Sequence, residues 1–208
     1  MRLARFPKQW RSRVVALFLA LLMSATVGEA APRRAYSLKD SPGYVPLVDP
    51  ESSSVSIGRR LNAPTVSMPF VAGARSLDGL GRAATRMLNH DQADSLMGLC
   101  ITEDEFRGIL WREFPQSRTA THLEWLDGWK ALSVRHRGGI AGAIRDRADQ
   151  YYEFVRIESR DTTAHYRNFK LHNAIVLVVR VAGREQELRW LRSVAERKGR
   201  FKIYSTTD

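Results

Sequence analysis

Cysteine is almost missing from these 208 residues, with Cys100 standing alone. A single thiol excludes an internal disulfide, so an ordinary hydrophobic core must hold the fold. It also excludes lipoprotein attachment, which needs a cysteine directly behind an export signal. Cys100 sits instead in the apolar stretch 96–101, where it reads as a small buried residue. Metal-binding spacing is absent too: His90, His122, His136, His165 and His172 are scattered, and none forms the close helical pair of a zincin. No glycine-rich phosphate loop follows a strand pattern and no nucleophile elbow surrounds a serine, which removes the usual nucleotide-binding and hydrolase signatures. No metal or cofactor is implied.

Lysine is scarce, at 6 against 27 arginines, so the formal charge of +11 is almost all guanidinium. Divided by region, that charge shrinks. Residues 1–30 hold five bases and one acid, leaving 28 bases against 21 acids beyond them, and residues 76–208 hold 22 against 18. A balance of +4 over that last region does not suit a nucleic-acid-binding surface.

The first thirty residues read as an export signal. Arg2, Arg5, Lys8, Arg11 and Arg13 precede an apolar run over residues 14–23, and Gly28-Glu29-Ala30 offers small residues for cleavage after Ala30. The alternative is an uncleaved anchor, but a spanning helix needs roughly 20 apolar residues, and residues 14–23 supply only ten. The expected mature chain is periplasmic or secreted in a bacterium and does not span a membrane.

Residues 31–75 carry six of the eight prolines and the run Ser52-Ser53-Ser54 without a sustained apolar period, and read as a largely disordered tether. Within it, residues 65–71 alternate weakly, as along a sheet edge. From Ser76 the pattern turns helical. Leu77, Leu80, Ala84, Met87 and Leu88 recur at three- and four-residue steps, and a second short helix can start at Asp91. Thr102 to Glu105 and Thr121 to Glu124 each have capping-box form, and Gly138-Gly139 is placed to break or bend the helix that follows the second. After Gln150 the period falls to two and predicts four strands. The most apolar spans 169–181 and needs cover on both faces: helices on one, and a partner, the tether or a curled sheet on the other. The expected fold is α+β over residues 76–208, three to four helices packed on a curved four-stranded antiparallel sheet.

This order of elements resembles the NTF2-like superfamily, the cystatin-like cone that includes SnoaL-type cyclases and ketosteroid isomerases. The helix running into residues 89–96 is similar to that group's opening helices, and Gly199-Arg200-Phe201-Lys202-Ile203-Tyr204-Ser205 to its closing strand. The stretches 110–115 and 166–169 resemble segments of exported bacterial proteins that carry no assigned function. The resemblance implies a cone with a pocket between helices and sheet, and it carries over no catalytic residue. The helix over 103–110 also departs from the pattern.

Several residues are candidates for a site. Glu103, Asp104 and Glu105 can act as paired carboxylates or simply favour a helix N-terminus. Trp111, Trp125 and Trp129 line a ligand pocket or fill the core, while His172 and Asn173 lie on opposite faces of the apolar strand. Arg189, Arg192, Arg197, Lys198, Arg200 and Lys202 form a candidate basic surface, or edge charges that resist aggregation. The reading is a non-catalytic module for a small apolar ligand, or for a protein partner, a second copy or an envelope protein, met through a sheet face. The alternative is an isomerase or cyclase with acid–base chemistry in an apolar pocket.

Overall fold

The computed structural model describes residues 41–43 and 49–207; the expected export signal and the start of the expected tether lie outside the described residues. Among the described residues five α-helices occur: α1 Ser53–Ile57, α2 Leu77–Asn89, α3 Ala93–Gly98, α4 Glu103–Glu105 and α5 Trp125–Arg147. Seven strands follow: β1 Glu153–Ser159, β2 Ala164–His165, β3 Lys170–Asn173, β4 Ile175–Val181, β5 Arg184–Leu188, β6 Leu191–Arg197 and β7 Arg200–Thr206. The chain is α+β, with one antiparallel sheet ordered β1-β4-β5 and a second ordered β2-β3-β6-β7. Among the described residues, no helix is long and apolar enough to cross a membrane.

Local chemistry explains the helix starts. The Ser76 hydroxyl accepts from the Gly79 amide at 2.9 Å, and Thr102 and Glu105 close a reciprocal capping box at α4. The second expected box does not form. Thr121 turns its hydroxyl back to the Gln116 and Arg118 carbonyls, His122 adopts a left-handed φ of 52°, and α5 begins without a side-chain cap. Nor does Gly138-Gly139 break α5, which runs through both. A Cβ at Gly139 would strike the Thr206 side chain and stand 2.6 Å from the Thr207 carbonyl oxygen. The glycine admits β7 against the helix rather than bending it.

The expected strand 169–181 divides at exposed Ala174, whose φ is +48°. Before it β3 pairs with β6; after it β4 pairs with β1 and β5. Between β5 and β6 the chain changes sheets again at Arg189 and Trp190. One long hairpin is thus shared between two sheets, and His172 and Asn173 no longer belong to the same strand as Ile175 and Leu177.

Both faces of β4 are covered. Ile175, Leu177 and Val179 join the main core with Leu80, Ala84 and Leu88 of α2 and Ile140 and Ala143 of α5. Val176 and Val178, only 4% and 1% exposed, lie opposite Glu158, Arg156 and Glu187 on the neighbouring strands. Those side chains form an ion-pair lattice: Arg156 to Glu185 at 2.8 Å, Arg160 to Glu158 at 2.8 Å and to Glu187, Arg180 to Glu153 at 3.4 Å. The aliphatic stems of the arginines shield the valines while their heads stay in water. The cover comes from the chain itself, so a homodimer or envelope-protein contact through this sheet face loses the apolar surface that motivated it.

The segment 49–75, expected as tether, lies against the domain. Ala74 pairs with Phe201 of β7 through two backbone hydrogen bonds of 3.0 and 2.9 Å. Phe70 packs into a second core with Ile101, Phe106, Ile109, Leu110, Leu132, Phe169 and Leu171. Its backbone polar groups meet buried charges, which is why no hydrophobic period announces it. Arg197 donates to the carbonyls of Val66 and Met68 at 2.5 and 2.9 Å. Lys202 and Glu105, both fully buried, pair at 2.8 Å while bonding the Val71 carbonyl and amide at 3.1 and 2.6 Å. Breaking such a pair by removing one partner typically costs about 3–5 kcal/mol, because the remaining charge is stranded.

A fourth buried charge joins the two stretches 110–115 and 166–169. The Glu113 carboxylate accepts from the amides of Arg167 and Asn168 at 2.9 and 2.5 Å and from the Asn168 side chain at 2.6 Å. Asn168 passes the network on to Val66 and Pro64 at 2.8 Å each. Every one of these groups is satisfied, so the network holds the turn and the segment in place and leaves nothing over for a ligand.

Candidate functional site

Helix α5 separates two clefts. The first, of about 600 Å³, lies between α5, the turns after α4, and the β3 and β7 strands. Its wall is aromatic. Phe114 meets Tyr166 edge-on at 5.7 Å and Tyr204 at 5.8 Å, Tyr166 stacks on Phe169 at 4.4 Å, and Trp111 and Leu171 complete the lining. A groove of this size with few polar groups suits a small apolar ligand.

Besides the exposed Gln116 amide, two polar groups in it are uncommitted among the described residues. The Tyr204 hydroxyl makes no hydrogen bond among the described residues, and neither does the guanidinium of Arg135, which also lacks an ion pair there. Burial pushes the Tyr204 phenol up to about 12, with Tyr166 adding to the shift and Arg135 opposing it. The phenol therefore stays protonated and offers a donor in the ordinary pH range. Arg118, on the same wall, is already held by Asp49 and the Glu51 carbonyl. Among the described residues no carboxylate lines this cleft. The arrangement can orient an acceptor or anionic group against an aromatic floor.

The second cleft, of about 610 Å³, lies on another flank of α5, against α3 and the start of α4. Met97, Ile101, Trp129 and Ile140 form its apolar part, and Asp94, Glu103 and Arg137 its exposed rim. At its floor is His136, 1% exposed, whose Nε2 is 2.9 Å from the Tyr204 carbonyl oxygen. A carbonyl only accepts, so Nε2 carries the proton. Burial lowers the imidazole pKa, with the bond to Tyr204 working in the opposite direction.

The expected site residues scatter. Trp111 lines the first cleft and Trp129 the second; Trp125, His172 and Asn173 line neither. Trp125 lies under the Arg107 guanidinium at 5.2 Å, and Asn173 reaches the Thr162 carbonyl at 3.4 Å. His172 stands between the Thr163 hydroxyl at 3.1 Å and the Glu196 carboxylate at 2.9 Å, its ring stacked near Phe201. That sequence of groups resembles a nucleophile chain in connectivity, but none of the three lines either cleft, and Lys170 also holds Glu196 at 3.1 Å. It ties the loop after β1 to the second sheet.

The basic surface also breaks up. Lys202 and Arg197 are 1% and 4% exposed and serve the buried network, contrary to the expectation, because their strand positions alternate inward. Arg200 is half-buried beside the Gly73 carbonyl at 3.5 Å, and Arg189 pairs with Glu187 at 2.9 Å. Arg192 and Lys198 remain exposed. Among the acids, Glu105 caps its helix and pairs with Lys202, while Glu103 reaches the rim of the second cleft. The Cys100 thiol is pushed up to about 12 by burial, against the opposing charge of Lys202, so it is no thiolate at neutral pH.

Sequence reasoning missed Tyr204, Tyr166 and Arg135 because they come from three distant segments. His136 did carry a signal: it sits between Leu132 and Ile140 at four-residue steps, a polar ring on an apolar stripe. Comparison with protein-family models, curated proteins and solved structures finds no match for this chain.

Proposed function

We propose that the domain is a non-catalytic binding module for a small apolar ligand carrying an anionic group, taken up in the first cleft. The carrying observation is the pairing of two uncommitted donors, the Tyr204 hydroxyl and the Arg135 guanidinium, with one aromatic wall. Binding between helix and sheet is also the use that an NTF2-like cone would make of this space, and export through residues 1–30 would place the module outside the cytoplasm. The isomerase or cyclase alternative is weaker in this cleft, because among the described residues no carboxylate lines it to take a proton.

Titrating purified protein with 2-naphthoate by calorimetry tests this. Saturable binding is expected, weakened about tenfold by Arg135→Met and again by Tyr204→Phe, since a hydrogen bond to a charged group contributes about 1.5–3 kcal/mol. Binding unaffected by both substitutions, or no binding at millimolar ligand, would reject the reading. Equal affinity for the uncharged methyl ester would remove its anionic part.

A further inference from the structure

We propose that the second cleft is a separate binding site for an uncharged small molecule with an apolar ring and a hydroxyl, whose O–H donates to Nδ1 of His136. Nε2 must donate to the Tyr204 carbonyl, so the neutral ring leaves Nδ1 as a lone-pair acceptor. No hydrogen-bond partner for Nδ1 occurs among the described residues, and His136 lines the cleft. An acceptor that opens onto an apolar cleft and has no protein partner is free to take a ligand's donor.

The surroundings select the rest of the ligand. Trp129 lies edge-on to the imidazole at 6.4 Å, and Met97, Ile101 and Ile140 continue the apolar wall. Ser133 spends its hydroxyl proton on the Lys130 carbonyl at 2.9 Å, so its oxygen too can only accept there. The floor thus presents acceptors, whereas the first cleft presents donors. Asp94 and Glu103 outnumber Arg137 on the rim, which disfavours an anion. A cation is disfavoured at depth, because the same desolvation that keeps His136 neutral penalises any buried charge. What remains is a neutral donor on an apolar body. The proposal does not depend on the first cleft being occupied.

The test compares 2-naphthol with its methyl ether, which keeps the rings and loses the donor. The naphthol should bind about tenfold more tightly than the ether. His136→Gln retains an amide N–H for the Tyr204 carbonyl but places no acceptor at Nδ1, and should erase that preference. Ala141→Trp, at an exposed position on the cleft wall, should block 2-naphthol and leave 2-naphthoate affinity unchanged, which separates this site from the first. Equal affinity for naphthol and ether, or naphthol binding that survives Ala141→Trp, overturns the proposal. Tighter binding of 2-naphthylmethylammonium than of 2-naphthol would make the acidic rim the determinant and overturn it as well.

Discussion

His136 donates its Nε2 proton to the carbonyl oxygen of Tyr204 at 2.9 Å, and that bond ties the floor of one cleft to the wall of the other. The imidazole lies on α5 and the carbonyl on β7, 68 residues later. The Tyr204 side chain enters the first cleft while its backbone holds the histidine of the second.

Acid should weaken the fold through this histidine. Burial lowers its pKa below the ordinary 6.5, so under acid the unfolded chain takes a proton that the folded chain refuses. The contribution is fully present above pH 6.5 and is lost as pH falls below it, at up to about 1.4 kcal/mol per pH unit for one proton. Urea denaturation between pH 7.5 and 5 should show a steeper loss in the wild type than in His136→Gln. Parallel slopes would contradict this.

Adjacent glycines in α5 should respond in opposite directions to alanine. A Cβ at Gly138 meets nothing within 4 Å, so Gly138→Ala should stabilise by about 0.5–1 kcal/mol through helix propensity. At Gly139 the methyl would strike Thr206, and Gly139→Ala should cost about 1–3 kcal/mol as overpacking. Thermal unfolding of the two variants separates them.

The ion-pair lattice over β4 should act as a shield against self-association. Removing two of its stems with Arg156→Ala and Arg160→Ala would expose Val176 and Val178, which are now 4% and 1% exposed. The double variant should show concentration-dependent association by sedimentation, while the wild type does not. Association of the wild type to the same extent would show that the lattice does not cover that face.

Local signals survived folding where the interaction that makes them is local. Ser76 caps Gly79 and Thr102 boxes Glu105, each within three residues, and each is present as written in the sequence. The Thr121 box looked the same and failed, because the left-handed His122 moves the helix start to Trp125, which makes Glu124 its N-cap rather than its third residue. The strand 169–181 was legible as apolar on both faces, but not its division at Ala174, since an alanine gives no sign of a left-handed φ.

The sequence by itself determined the α+β class, the order of helices before strands and the need to cover both faces of β4, because periodicity and capping act over a few residues. Only the tertiary structure decided that Arg156, Arg160 and their acidic partners cover β4. It alone turned Lys202 and Arg197 inward onto the backbone of residues 66–71, and it brought Tyr204, Arg135 and Tyr166 around one cleft. Apart from Arg160 and Glu158, two residues apart, those partners lie from about 30 to 130 residues apart, beyond the reach of any local pattern, and their meeting depends on how two sheets share one hairpin.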